Sequence, residues 1–328
     1  MRKILTLSRV AAVCALSVLT VACGSDDSTS DNTDNGDAAG TTTPADTSSN
    51  GELPTIVVTT NILGDIVTQA VGDLAEVEVV MPVGADPHDF APSARQAESM
   101  ENANLLVTNG AGFEEGMREV IEQVESSGTP VFSFADQVEL IEFSGEEHIV
   151  DDPHIWNDPS RMITAVEAFG VEFASLGGVD AAAVEAQVQS YVDELTALDA
   201  EMEDTLSTIP AEQRVLVTNH VVFGYFADRF SFEVVGAVIP SSTTNAEPST
   251  AEVEALVALI EQEQIPAIFA DTSSPSRLAG AIASSASGDV QVVALYSESL
   301  GEPGSGADTY LTMMATNATL IADALIPA

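Results

Sequence analysis

The sequence predicts an α/β protein of two lobes, each a mostly parallel sheet of about four strands flanked by helices, with one long helix joining the lobes. Apolar, β-rich segments alternate with helical segments, which is typical of parallel sheets with helical crossovers. The alternation occurs once before residue 180 and again after Pro210. A single long amphipathic segment separates the two series.

The N-terminal lobe is predicted over residues 54–179. Helical segments such as ILGDIVTQAVG lie between its strands. Four apolar runs have the composition of buried strands: TIVVTT (55–60), VEVVMPV (77–83), NLLVTNG (104–110) and PVFSF (130–134).

A spine helix is predicted over residues 180–207. Asp180 is a favourable N-cap that follows two consecutive glycines. Apolar residues then recur at spacings of three and four from Val184 to Met202, which places them on one face. A helix of this length measures ~40 Å, which is long for one small lobe. We therefore interpret it as packed along both lobes; an ordinary crossover helix of one lobe is the alternative.

The C-terminal lobe is predicted over residues 208–328. Its strand-like runs are RVLVTNH (214–220), FEVVGAVI (232–239), AIFADT (267–272) and VQVVALY (290–296). Roughly 275 residues follow Leu53, and this length is sufficient for two domains.

The first 22 residues are predicted to be a secretory signal peptide. A basic start precedes an uncharged apolar run from Val10 to Ala22, which is shorter than the ~20 residues that span a bilayer. The string LTVAC resembles the lipobox of bacterial lipoproteins, and the resemblance implies a lipid on Cys23 that anchors the chain to a membrane. A cleaved signal with an incidental cysteine is the alternative. Residues 23–53 are polar and acidic, so we expect a disordered tether.

The charge of the mature chain excludes several classes of partner. Removal of the signal peptide leaves 52 acidic residues against six arginines, a net charge of −46. Nucleic acid is excluded as a partner because phosphate binding depends on Lys and Arg. We interpret the charge as an acidic surface suited to a salty medium. Cys23 is the only cysteine of the mature chain, so disulfides and thiolate metal sites are also excluded.

Three of the four histidines lie close to predicted strand ends. His88 follows the second strand, His154 follows the fourth, and His220 ends the first strand of the second lobe. Ligands of open α/β sheets bind beyond the carboxyl ends of the strands, so a cleft between the lobes could unite the three. Neutral imidazole is a common ligand of Zn²⁺ and its neighbours. A single loop histidine is more often a surface or capping residue, so only the combination indicates a metal site.

Two of these histidines share the tripeptide Asp-Pro-His, at residues 86–88 and 152–154. Proline stiffens the loop. The adjacent carboxylate could accept the second ring N–H and thereby set the tautomer of the histidine.

Longer strings resemble the metal-binding solute-binding lipoproteins of bacterial zinc and manganese ABC transporters. The strings VGADPHDFAPSARQ, ANLLVTNGAGFEE, DPHIWNDP and VTNHVVFGYFADRF occur in the order and spacing of that family, and the resemblance extends from Thr55 to Ala324.

The resemblance implies two lobes joined by a rigid helix, with one divalent cation between them. Its ligands would be His88, His154, His220 and Glu298, the carboxylate of LYSESLG. The family more often has Asp at that position, and Asp271 is the rival. His148 lies where some members have a long histidine-rich loop; we interpret it as an exposed loop residue, with a weak accessory ligand as the alternative.

We therefore predict a non-enzymatic, monomeric receptor outside the cytoplasmic membrane. It would be lipid-anchored to the outer face of that membrane and would deliver a metal ion to an ABC permease. Three histidines and one carboxylate suit tetrahedral Zn²⁺, and Mn²⁺ is the alternative cargo. A zinc hydrolase would need an open coordination position. A surface adhesin is a third class, for which the acidic surface gives no specific support.

Overall fold

A computed structural model describes residues 53–143, 150–274 and 277–326. The predicted signal peptide, Cys23, the tether up to residue 52 and His148 lie outside the described residues. Within the described ranges, no helix is both long enough and apolar enough to cross a membrane.

The first sheet contains four parallel strands in the order β2-β1-β3-β4. All four coincide with predicted runs but are shorter: β1 (Thr55–Val58), β2 (Glu76–Val79), β3 (Leu105–Thr108) and β4 (Val131–Ser133). The helices between and after these strands are α1 (Asn61–Val71), α2 (Ala94–Glu101) and α3 (Arg118–Ser127).

The second sheet repeats this topology. Its parallel strands have the order β10-β9-β7-β8, so the first strand of each series again lies between the second and the third. The strands are β7 (Val215–Thr218), β8 (Glu233–Ala237), β9 (Ala267–Asp271) and β10 (Gln291–Leu295). The helices that accompany them are α6 (Gly224–Phe230), α7 (Thr250–Glu263), α8 (Arg277–Ser285) and α9 (Tyr310–Leu325).

Two helices and a small hairpin connect the sheets. The strands β5 (Glu142–Phe143) and β6 (Val150–Asp151) form an antiparallel pair that we did not predict. Helix α4 (Pro159–Ala174) begins after Asp158, whose side chain accepts from two backbone N–H groups of the first turn. The spine helix α5 (Ala181–Ser207) is capped by Asp180 as predicted.

The spine helix contacts elements from both ends of the chain. It packs against α1, α4 and α9, and its buried residues include the predicted apolar stripe. One continuous apolar core extends from Ile56 through Leu195 to Met313. The predicted fold class is therefore confirmed. The lobe boundaries at residues 54–179 and 208–328 stay a proposal.

Candidate metal site

The structure brings together the four side chains that we predicted as ligands. His88, His154, His220 and Glu298 each offer one ligand atom, and these atoms lie within 4.8 Å of one another. The four residues are between 0% and 2% exposed. The cluster lies beyond the carboxyl ends of both sheets, where open α/β sheets bind ligands.

A single oxygen of Glu298 is the centre of the cluster. Its Oε1 atom lies 3.0 Å from Nε2 of His88, 3.1 Å from Nε2 of His220 and 3.4 Å from Nε2 of His154. The Nε2 atoms of His154 and His220 are 3.4 Å apart. All three imidazoles therefore present the same ring nitrogen to one point.

The second Asp-Pro-His tripeptide orients His154 as its sequence predicts. Oδ1 of Asp152 accepts from the backbone N–H of His154 at 3.0 Å and lies 2.7 Å from its Nδ1 atom. Asn109, which follows β3, donates to the carbonyl of Pro153 at 2.8 Å. The tripeptide thus sets the tautomer of His154, and a neighbouring strand end holds the loop in place.

The first tripeptide works differently, and our expectation for its ring was wrong. Asp86 accepts from the backbone N–H of His88 at 3.0 Å, but the Nδ1 atom of His88 lies 3.1 Å from Oε1 of Glu115 instead. We did not predict this role of Glu115, which follows β3 and is 27 positions from His88. The pair of glutamates in GAGFEE was the available signal.

The loop that carries Glu115 is anchored by the preceding residue. The carboxylate of Glu114 is buried and accepts from Thr59 Oγ1 at 2.7 Å and from the backbone N–H of Asn109 at 2.6 Å. Burial raises the pKa of Glu114, although these hydrogen bonds oppose the increase. Phe113, from the same loop, packs edge-on against His88 with ring centroids 5.0 Å apart.

His220 and Glu298 each have one side-chain atom without a hydrogen-bond partner among the described residues. The backbone carbonyl of His220 accepts from Thr218 Oγ1 at 2.6 Å, but its Nδ1 atom has no hydrogen-bond partner among the described residues. Oε2 of Glu298 likewise has none. These two buried polar atoms are therefore available for a ligand or a water molecule.

The segment around Glu298 is held by residues of the first lobe. Trp156 Nε1 donates to the carbonyl of Ser297 at 2.9 Å, and the N–H of Leu300 donates to Oδ1 of Asn61 at 2.8 Å. Asn61 also donates to the carbonyl of Pro82 at 3.1 Å. The carboxylate is thus positioned by contacts on both sides.

Asp271, the rival carboxylate, is buried next to the cluster but is not part of it. Its Oδ1 atom accepts from the N–H and hydroxyl of Ser273, and its Oδ2 atom accepts from the N–H and hydroxyl of Ser297. Burial and the charge of Glu298 raise the pKa of Asp271. Both oxygens are occupied, so Asp271 supports the segment that carries Glu298.

Burial and charge oppose each other within the cluster. Burial raises the pKa of Glu298, but the charge of His220 and the hydrogen bonds of the imidazoles hold it well below its usual range. Burial lowers the pKa of His88, but hydrogen bonds to Glu115 and Glu298 outweigh burial and raise it to about 10. The pKa of His154 is also raised, because Asp152 and Glu298 outweigh its burial. The cluster without an ion therefore retains protons at neutral pH.

Comparison with known proteins identifies the family. The sequence model of the zinc-uptake complex component A, periplasmic (ZnuA) family matches residues 56–324. The chain belongs to this family. The predicted membership of the metal-binding solute-binding proteins of ABC transporters is confirmed.

Relatives of this ZnuA-family chain are named for two different metals. The zinc-binding protein TroA of Treponema pallidum is 30% identical over 276 residues, which cover 83% of this chain and 89% of TroA. The manganese-binding lipoprotein MntA of Halalkalibacterium halodurans is 26% identical over 271 residues, which cover 83% of this chain and 88% of MntA. A solved structure of TroA matches with a TM-score of 0.78, and the match covers 84% of this chain and all of that structure.

Proposed function

We propose that this protein is the extracytoplasmic receptor of an ABC transporter for a divalent transition-metal ion. His88, His154, His220 and Glu298 would bind the ion between the two lobes, and the loaded receptor would deliver it to a permease in the membrane. Membership of the ZnuA family and the names of the relatives support the transport role.

The distances within the cluster are the observation that carries this proposal. In a tetrahedral Zn²⁺ site with bonds of about 2.0–2.1 Å, neighbouring ligand atoms are about 3.3 Å apart. Four of the six distances between ligand atoms fall between 3.0 and 3.4 Å, and all six are within 4.8 Å, so a bound Zn²⁺ would require only a small rearrangement of the side chains. Two imidazole nitrogens that face each other at such a separation are well suited to share one cation.

The ligand chemistry favours Zn²⁺ as the cargo. Three of the four ligand atoms are nitrogens, and the order of intrinsic affinities places Zn²⁺ above Mn²⁺. Oε2 of Glu298 has no partner among the described residues and could add a fifth ligand, which would suit Mn²⁺ better. Mn²⁺ therefore stays the alternative, in agreement with a relative that is named for manganese.

We propose no catalytic role. A catalytic zinc site keeps one coordination position open for water, whereas this cluster supplies four ligand atoms and is almost fully buried. The lipobox-like sequence before Cys23 supports a receptor that is lipid-anchored to the outer face of the cytoplasmic membrane. We further propose that it acts as a monomer.

Elemental analysis of protein purified without added metal tests the binding proposal. We expect close to one equivalent of Zn²⁺ per chain, and we expect Zn²⁺ to displace Mn²⁺ in direct competition. The variant His154→Ala should lose this stoichiometric metal, while His148→Ala, which removes the fourth histidine, should keep it. A wild-type chain that binds neither ion, or equal retention by both variants, would refute the proposed site.

Uptake measurements test the transport role. Deletion of the gene should reduce accumulation of radioactive zinc at low external concentration, and the wild-type gene should restore it, whereas His154→Ala should not. Unchanged uptake after deletion would contradict the receptor role but would leave the metal site intact.

A further inference from the structure

The cluster is closed in this structure, so an ion can enter or leave only if some segment moves. All four predicted ligands are at most 2% exposed. The surrounding contact that opens most readily sets the rate at which the ion exchanges with the solvent.

Most contacts that join the two lobes near the cluster are deeply buried. Tyr310 donates its hydroxyl to the carbonyl of Trp156 at 2.7 Å, and Tyr225 donates to the carbonyl of Asp152 at 2.7 Å. These aromatic side chains belong to the continuous apolar core. Separation at this side would expose large apolar surfaces to water, which is costly.

Residues 238–248, between β8 and α7, form a second connection between the lobes near the cluster, and we call this segment the cover loop. Its residue Ser241 accepts from the N–H of Val221, next to His220, at 2.9 Å. Its residue Asn245 is exposed and reaches the first lobe. The cover loop thus spans from one predicted ligand to another.

Asn245 makes two hydrogen bonds with its side-chain amide. Nδ2 donates to the backbone carbonyl of His88 at 3.1 Å and to Oε2 of Glu115 at 3.3 Å. The other oxygen of Glu115 contacts Nδ1 of His88. Glu115 therefore links the ring of a predicted ligand directly to the cover loop, and its own side chain is 36% exposed.

We propose that Asn245 is a latch that holds the cover loop closed over the bound ion and sets the rate of ion release. The proposal rests on the metal site proposed above. An ion at Nε2 of His88 leaves the proton on Nδ1, which donates to Glu115. Glu115 is then held where its second oxygen accepts from Asn245, so the closure depends on a group that is bonded directly to a predicted ligand. Asn245 is a positioning residue, because it does not reach the ion.

Two substitutions distinguish a latch from simple packing. Asn245→Ala removes both hydrogen bonds and should accelerate release of Zn²⁺ about tenfold, since one bond goes to a charged group. Asn245→Asp keeps the shape but replaces the donor with a carboxylate that faces Glu115, so release should be faster than in Asn245→Ala. A packing role predicts the opposite order, with Asn245→Asp close to wild type.

The measurement is the dissociation rate of Zn²⁺ from the full mature chain, followed in a stopped-flow instrument with excess chromophoric chelator. Asn102→Ala is the matched control, because Asn102 is also exposed and donates only within its own helix, to the carbonyl of Glu98. It should release at the wild-type rate. The melting temperature of the metal-free protein should not change in the Asn245 variants.

Failure of the latch and failure of the proposed function give different results in these measurements. Wild-type release rates in both Asn245 variants would overturn the latch, and so would Asn245→Asp close to wild type with only Asn245→Ala fast. A wild-type chain that binds no Zn²⁺ would refute the proposed function itself.

Discussion

Glu298 is the residue on which the geometry of the cluster depends, because one of its oxygens contacts all three imidazoles. Asp271 is equally buried and only 27 positions away, yet serine side chains and N–H groups occupy its two oxygens. Glu298 therefore has an oxygen that is free to bind an ion, whereas both oxygens of Asp271 already accept hydrogen bonds.

We predict that Glu298→Ala weakens Zn²⁺ binding more than Asp271→Ala does. Loss of a residue that supports a ligand without binding the ion, such as Asp271, typically costs ~10–100-fold in affinity. Loss of Glu298 should cost more, because its negative charge would contact the cation directly. Titration calorimetry with a competing chelator measures both variants. A severe loss in Asp271→Ala, with Glu298→Ala near wild type, would reverse the assignment.

The protonation of His88 predicts how affinity depends on pH. Its Nε2 atom must be free of a proton to bind an ion, and the pKa of His88 without an ion is raised to about 10. Binding at any pH below that value therefore expels a proton, so affinity should fall as pH falls. One expelled proton corresponds to about a tenfold change in affinity per pH unit.

Affinities measured by chelator competition between pH 6 and pH 8.5 test this prediction. Calorimetry in two buffers with different ionisation enthalpies gives an independent count of the released protons. An affinity that is constant over this range, with no proton release, would show that the imidazoles do not bind the ion.

At the scale of elements, the strand ends position the predicted ligands. Asn61 begins the helix after β1, Asn109 follows β3 directly, and each donates to a carbonyl of a loop that carries a histidine. The parallel arrangement places both strand ends at the same edge of the sheet. The sheet therefore fixes these loops together with the hydrogen bonds that each loop makes within its own sequence.

The N-terminus of the spine helix is a second feature at the scale of elements. Oδ1 of Asp180 accepts from the N–H groups of Ala182 and Ala183 at 3.0 and 3.4 Å. Asp180→Ala should lower the free energy of unfolding by about 1 kcal/mol, because these N–H groups lose their acceptor. Urea unfolding of the metal-free protein measures the change.

Asp204→Ala is the control for this prediction. Asp204 is an exposed acidic residue in the last turn of the same helix. An acidic side chain is unfavourable near a helix C-terminus, so its removal should not destabilise the protein. Equal destabilisation by both substitutions would show that the cap contributes nothing specific.

At the scale of the whole molecule, the acidic net charge dominates the surface: it is −43 for the full sequence and would be −46 without the predicted signal peptide. Repulsion among exposed carboxylates opposes the compact state, and salt screens it over about 10 Å at 0.1 M. The melting temperature of the metal-free protein should therefore rise across a sodium chloride series. An uncharged osmolyte at the same concentration separates screening from general solvent effects, and no rise with salt would reject the interpretation of salt adaptation.

The predicted anchor is also a property of the whole chain. Cys23→Ser should yield a soluble, secreted protein that still binds metal, because the predicted ligands lie far beyond the tether in sequence. Cys14→Ser, within the predicted signal peptide, is the matched control and should remain in the membrane fraction. Recovery of the Cys23→Ser protein in the membrane fraction would contradict the lipoprotein assignment.

Local sequence was sufficient to predict the elements and much of the cluster. Apolar, β-rich runs predicted all eight strands of the two sheets, and Asp180 predicted the start of the spine helix. The Asp-Pro-His tripeptide at residues 152–154 specifies its own turn, because the carboxylate and the N–H that it accepts from are two positions apart. Such features depend on neighbours in the chain, so the sequence shows them directly.

Only the tertiary structure decided which distant groups meet. Glu115 rather than Asp86 contacts the ring of His88, Glu298 rather than Asp271 has a free oxygen, and Asn245 reaches across from the other lobe. The contacts of Glu115, Asn245 and Glu298 with His88 join residues that are 27, 157 and 210 positions apart, and no local periodicity encodes such a contact. The packing of helices from both parts of the chain against one spine helix brings them within hydrogen-bonding distance.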